Sequence, residues 1–106
     1  MVNKQVSAPF KCPVRMPNGL QWVDNELYVI DQLTDDVFVL DESGSVQRVI
    51  TTETVNGSGI TYGDGAIWTA CNSNKGATAR PQRPTDHIPA NIRKVDEATG
   101  KTIDYF

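Results

Sequence analysis

The chain repeats itself. "PNGLQWVDNELYVID", from Pro17 to Asp31, returns as "GSGITYGDGAIWTAC", from Gly57 to Cys71. Gly19-Leu20-x-Trp22 lies over Gly59-Ile60-x-Tyr62 at an offset of 40, and the same offset sets Leu27-Tyr28 over Ile67-Trp68 and Val29-Ile30 over Thr69-Ala70. Farther on, "VFVLDESG" (Val37 to Gly44) matches "IRKVDEATG" (Ile92 to Gly100) with one extra residue and a starting offset of 55, so the second unit carries about 15 additional residues between its second and third matched segments. A period near 40 residues restricts the chain to stacked or radial architectures. A unit this small cannot cover both of its own faces, so neighbours must.

Each unit reads as four short strands. In the first, Leu20–Val23, Leu27–Ile30, Val37–Asp41 and Val46–Ile50 are separated by Asp24-Asn25, Thr34-Asp35-Asp36 and Ser43-Gly44-Ser45. In the second, Ile60–Tyr62, Ala66–Ala70, Ile92–Asp96 and Lys101–Tyr105 are separated by Gly63-Asp64-Gly65, the insertion and Thr99-Gly100. β-branched and aromatic residues fill the strands, turn formers fill the breaks, and no useful stretch has a helical period. Four antiparallel strands in such a span make the blade of a β-propeller.

The predicted fold is therefore all-β: two four-stranded antiparallel blades of a β-propeller. An N-terminal arm covers 1–17, a first blade 18–56 and a second 57–106, with an inserted loop at about 73–90. Two blades do not close a ring, which typically has four to eight. Homo-oligomerisation would complete it, most simply as a trimer giving six blades. A longer protein of which this is a piece, or sheets packed another way, as in a sandwich, would also answer. Assembly leads, because an open pair leaves apolar blade faces in water. The arm, with "VSAPFKCPV", is expected to lie along a neighbouring subunit, to supply an edge strand, or to stay partly ordered.

Hydrophobic residues at 39% and charged residues at 22% of 106 suit one globular domain. The net charge of −3 argues against a nucleic-acid partner. The longest apolar runs, Leu27–Ile30 and Val37–Leu40, are too short to span a membrane. The first dozen residues lack the apolar core of a secretory signal, so a cytoplasmic location is expected. Cys12 and Cys71 fit no metal-binding spacing. Free thiols are expected in that compartment, with a disulfide left open.

"NGLQW" (Asn18–Trp22), "LYVIDQL" (Leu27–Leu33), "GAIWTACN" (Gly65–Asn72) and "RKVDEATGKT" (Arg93–Thr102) resemble the regucalcin/gluconolactonase (senescence-marker) family. More loosely they are similar to NHL-type and virginiamycin-lyase-like propellers. The resemblance implies a calcium- or zinc-dependent lactonase, with the metal at the mouth of a central channel polarising the lactone carbonyl and activating water. Asn18 stands where the family places a metal ligand. Ser58 stands where the family has an aspartate that is both ligand and general base. A hydroxyl does neither job well near neutral pH. The family's remaining ligands lie on blades this chain does not contain.

Antiparallel strands send alternate connections to the same end. Asn18, Ser58, "DQLTDD" (Asp31–Asp36) and the insertion "NSNKGATARPQRPTDHIPA" (Asn72–Ala90) should therefore share one end. Lys75, Arg80, Arg83 and His87 make the insertion basic. It reads either as a lid that meets an anionic ligand or as a solvated loop. His87, the only histidine, is more simply a surface residue than a base. Trp22, Tyr28, Tyr62 and Trp68 read as blade packing. Asp41 and Asp96, each just before a turn, should accept backbone amides there. Asp35 and Asp36 read as a solvated pair. No phosphate-cradling loop and no Ser-His-Asp arrangement can be drawn.

The expected function is a small propeller-forming subunit that binds a small-molecule or anionic ligand, or a protein, through its loop-rich end. Asn18, Ser58, Arg80, Arg83 and His87 are its candidate ligand-binding residues, and no catalytic residue is assigned. The alternatives are a metal-dependent hydrolase with the metal at the oligomer axis near Asn18, and an inactive fragment of a larger propeller.

Overall fold

The computed structural model describes residues 7–72 and 89–106. It contains two four-stranded sheets, each an antiparallel meander in sequence order. The first holds β1 (Pro17–Val23), β2 (Glu26–Asp31), β3 (Asp36–Leu40) and β4 (Val46–Thr51). The second holds β5 (Gly57–Gly63), β6 (Ala66–Cys71), β7 (Asn91–Val95) and β8 (Thr102–Tyr105). Each predicted strand is found. The largest differences are at β1 and β5, which begin three residues earlier than predicted, at Pro17 and Gly57. The turns close as their residues demand: Asp24, Asp64 and Gly65 take the left-handed conformation, at φ 54°, 53° and 67°.

Strand alternation sorts the side chains onto two faces per sheet. Tyr28, Ile30, Val37, Val39 and Ile50 leave one face of the first sheet and meet Ile67 and Val95 of the second, with Val23, Ile60 and Tyr62 at the margin. The sheets come together at their first strands. A Cβ on Gly19 would lie 3.0 Å from Gly59 Cα, so the two repeated glycines let the inner backbones touch. Convergence on β1 and β5 is the radial geometry of blades.

The opposite face of the first sheet carries a second cluster, in which Val29 and Leu40 are buried under Val14, with Phe10, Leu27 and Phe38 around them. That cover is the N-terminal arm. Its described part, from Ser7, folds back on its own blade, and the Phe10 ring sits against Gly44 of the β3–β4 turn.

Asp41 and Asp96 cap their turns as expected. Asp41 Oδ1 accepts the amides of Ser43 and Ser45 at 2.8 and 3.0 Å. Asp96 Oδ1 accepts those of Ala98 and Thr99, both at 2.9 Å. Both cysteines are free, Cys12 exposed and Cys71 buried. Among the described residues no helix is long and apolar enough to cross a membrane. The predicted loop of 73–90, with Lys75, Arg80, Arg83 and His87, lies outside the described residues except for Pro89 and Ala90.

Candidate functional site

The residue before each repeated Gly has a structural definition. Pro17 pairs with Asp31 and Gly19 with Ile30, which makes Asn18 the extra residue of a β-bulge. Gly57 pairs with Cys71 and Gly59 with Ala70, which makes Ser58 the extra residue of its counterpart. A bulge interrupts alternation and re-aims one side chain. Exposed Asn18 reaches the second sheet, where its Nδ2 donates to the Gly57 carbonyl at 3.4 Å. It thus touches the residue next to Ser58, and the two lie at one end of the junction as the topology required.

The β2–β3 connection, Gln32 to Asp35, closes that end and corrects one sequence reading. Asp35 is not solvated but 1% exposed. Its Oδ1 accepts the Gly57 amide at 2.6 Å and its Oδ2 the Asn56 amide at 3.2 Å. Asp31 is also buried, and its Oδ1 accepts the amides of Leu33 and Met16 at 2.8 and 3.3 Å. Gln32 Nε2 donates to Asn56 Oδ1 at 2.9 Å. These carboxylates fasten a loop of the first blade to the start of the second with charge-assisted bonds. Neighbouring acidic residues look solvated in a sequence, and the amides that Asp35 binds are 21 and 22 positions away.

A hard cation such as calcium takes six or more oxygens. Asn18 and Ser58 bring an amide and a hydroxyl, while Asp31 and Asp35 hold backbone amides. Among the described residues no three His, Cys, Asp or Glu side chains group together. These residues do not by themselves fit calcium or zinc.

The other end of the junction holds a polar cluster that the sequence did not signal. Glu97, in the β7–β8 turn, accepts the Tyr28 hydroxyl on Oε1 and the Tyr62 hydroxyl on Oε2, the latter at 3.0 Å. Arg48 on β4 donates to Glu97 Oε1 at 2.8 Å and to the Tyr28 hydroxyl at 2.5 Å, and pairs with Glu26 at 3.3 Å. Partial burial pushes the Glu97 carboxyl up, but the hydrogen bonds from Tyr28, Tyr62 and Arg48 outweigh it and hold the group below the usual carboxylate range. Burial, then the Glu97 bond, pushes the Tyr28 hydroxyl above its ordinary value.

An open cleft of about 510 Å³ adjoins this cluster, lined by Arg48, Ile50, Thr51, Asp96, Glu97 and Thr99 among others. Its charged groups already hold one another or backbone amides, so the cluster serves as a second clasp between the sheets. Because Glu97 has a depressed value in the folded state, its stabilisation is full above the unfolded value of about 4.3 and is lost as pH falls through the lower folded value. Glu97→Gln should therefore flatten the acid limb of stability. Thermal midpoints at pH 7 and pH 3 should differ less in the variant than in the parent chain; equal differences would remove Glu97 from the acid response.

The second sheet presents a third feature on the face away from the junction. Gly59, Thr61, Trp68, Ala70 and Ile92 line an apolar groove of about 220 Å³. Ile92 is half exposed. Phe106 stacks on Trp68 with centroids 6.2 Å apart, and Lys94 Nζ lies 5.3 Å from the Trp68 ring centroid. Trp68 Nε1 donates to the Gly63 carbonyl at 3.0 Å, which leaves the ring as an oriented apolar plate.

No protein-family model matches the chain, and no curated protein matches its sequence. Among solved structures it is similar to Myxococcus xanthus glutaminyl cyclase, with a TM-score of 0.60 and 14% identity over 84% of this chain and 34% of that one. At that identity the likeness concerns the fold alone. The two sheets are propeller-like blades. The chain spans about a third of the length of that structure.

The blade description gives the apolar groove a meaning. By the repeat offsets, Trp68, Ala70 and Ile92 are the counterparts of Tyr28, Ile30 and Val37. Phe106 exchanges two backbone hydrogen bonds with Ile92, as the position paired with it, and so corresponds to Ile50 opposite Val37. Those four residues, with Val39, form the first blade's side of the inter-blade core, and Val39 alone has a charged counterpart, Lys94. The groove is the same surface one blade later.

Proposed function

We propose that this chain is a propeller-forming subunit that works as a binding module and assembles through its open blade faces. One observation carries this reading: the residues facing outward on the second blade occupy the positions that bury the first blade against the second. A set of side chains that closes one junction is suited to closing another. The end carrying Asn18 and Ser58 would then take the small-molecule, anionic or protein ligand, with Arg80, Arg83 and His87 from the insertion as further candidates. Homo-oligomerisation to a closed ring, with three copies supplying six blades, follows from the same reading. A cytoplasmic setting is in keeping with two unpaired cysteines.

The resemblance to the regucalcin/gluconolactonase family supplies a different reading, a calcium- or zinc-dependent lactonase with Asn18 at the metal. The donor set gives it less support. Ser58 replaces the carboxylate that would act as base, and the buried carboxylates nearby are engaged in joining the blades. Binding is therefore placed ahead of catalysis.

Sedimentation across a range of concentrations tests the assembly. A discrete species at a multiple of the 11.7 kDa chain mass is expected. Ile92→Asp, which puts a charge into the groove, should weaken association by about a hundredfold, the cost of desolvating one unpaired carboxylate against an apolar surface. A parent chain that stays single up to millimolar concentration would overturn the reading.

A further inference from the structure

We infer that the outer face of the first blade is the docking surface for the groove of the second blade of another copy of this chain, and that the chain's own arm, Phe10 to Val14, competes for that surface. This rests on the assembling-subunit reading above and adds the acceptor face and its control.

The acceptor face is identified by the same offsets that identified the groove. On the second blade, Thr69 and Val95 face the junction and are fully buried by the first blade. Their counterparts on the first blade are Val29 and Leu40. These are 2% and 0% exposed, and what buries them is the arm, through Val14 with Phe10 beside it. The arm thus occupies on the first blade the place that the first blade occupies on the second.

The replacement is incomplete. Leu20 and Trp22 correspond to Ile60 and Tyr62, which pack at the margin of the inter-blade core. With only the arm for cover, Leu20 and Trp22 remain 62% and 51% exposed. They form an apolar strip along β1 beside the arm, where an incoming blade could gain its first contact. One copy therefore carries both halves of a head-to-tail contact, the groove with Trp68 and Ile92 on one side and the Leu20–Trp22 strip with the covered Val29 and Leu40 on the other. Such a contact closes into a ring when the rotation per copy allows.

The arm is held less firmly than a blade would be. Between Ser7 and Met16 it has no strand, and Lys11, Cys12, Pro13 and Arg15 are exposed. Phe10 and Val14 provide its apolar grip, and the Phe10 ring depends on Gly44, where a Cβ would stand 2.3 Å from it. A docking blade brings a continuous apolar face instead. Full association then requires the arm to leave, and anything that loosens the arm favours assembly.

Two variants loosen it by different routes. Phe10→Ser with Val14→Ser removes the grip. Gly44→Asn evicts the ring from the turn side, with a residue that tolerates the φ of +85° there better than most. Each is compared with the parent chain by sedimentation, and far-UV circular dichroism checks the fold. Tryptophan accessibility reports the contact directly, because the two tryptophans, Trp22 and Trp68, lie one on each proposed partner face. Both variants should associate about tenfold more tightly than the parent, since the partly buried Phe10 ring no longer has to be displaced. Hydroxyl-radical footprinting of the unsubstituted chain, read residue by residue by mass spectrometry, should show Trp22 less accessible on association. If the parent associates but neither variant changes the midpoint, or Trp22 stays as accessible in the assembled state, the inference is overturned while the assembly reading stands. If no form associates at any concentration, both fall. Should one variant fail to fold, the other decides.

Discussion

Gly100→Ala is expected to destabilise the chain by about 3 kcal/mol or more, which for a domain of this size lowers the thermal midpoint by roughly 10–20 °C. Gly100 is left-handed at φ +75°, and a Cβ there would stand 1.9 Å from the Thr51 carbonyl oxygen and 2.9 Å from its carbon. The obstacle is backbone, and it belongs to the other blade, so no rotamer change relieves it. Either the β7–β8 turn deforms or the outer edges of the blades separate. Separation would also pull Glu97 from Arg48 and Tyr28, and the Thr102 amide from Glu53, which it meets at 2.8 Å. Gly65→Ala is the internal control. Gly65 has a similar φ of +67° but nothing within 4 Å of its added Cβ, so it should cost only the conformational strain of about 1 kcal/mol. Thermal unfolding of both variants checks the difference; equal midpoints would mean that the contact with Thr51 does not hold the blades in place.

Asp35→Ala should cost about 3 kcal/mol, because it removes the acceptor from the buried amides of Asn56 and Gly57 and adds the strain of an alanine at φ 60°. Asp35→Asn should cost about half as much. Asparagine accepts that backbone geometry and keeps one oxygen, but it turns an amide group toward one of the two donors. The expected order is therefore parent, Asp35→Asn, Asp35→Ala in falling urea midpoint. Emission from Trp22 and Trp68 in single-tryptophan backgrounds follows each blade separately. In the parent the two transitions should coincide. In Asp35→Ala the second blade should loosen first, because this carboxylate joins it to the first. Unchanged midpoints would show that the interaction is dispensable.

The eight strands were legible because local chemistry sets them. Alternation, β-branched residues and turn formers act over a few residues, and the repeat states the pattern twice. The capping roles of Asp41 and Asp96 were legible for the same reason, since each binds amides within four positions. The contrast between Asn18 and Ser58 was visible as a difference between repeats, although their shared status as bulge residues depends on pairing register. Asp35 and Glu97 were misread or missed. Each joins partners across the junction, Glu97 with Tyr28 at a separation of 69 residues, and nothing around either position announces the partner. The arm's seat on its own blade was not legible, because its apolar residues say only that some face will cover them.

By itself, then, the sequence determined the meander of each sheet and the apolar character of both blade faces. Each depends on residue type and spacing along a short stretch of chain. Only the tertiary structure decided which face met which. It placed the first blade on one face of the second, the arm on the outer face of the first, and Asp35 and Glu97 at the two ends of the junction. Burial of apolar area favours covering a face but does not choose the cover. That choice depends on chain connectivity and on polar partners far apart in sequence, and it leaves the surface around Trp68 and Ile92 as the exposed counterpart of the face that the first blade buries.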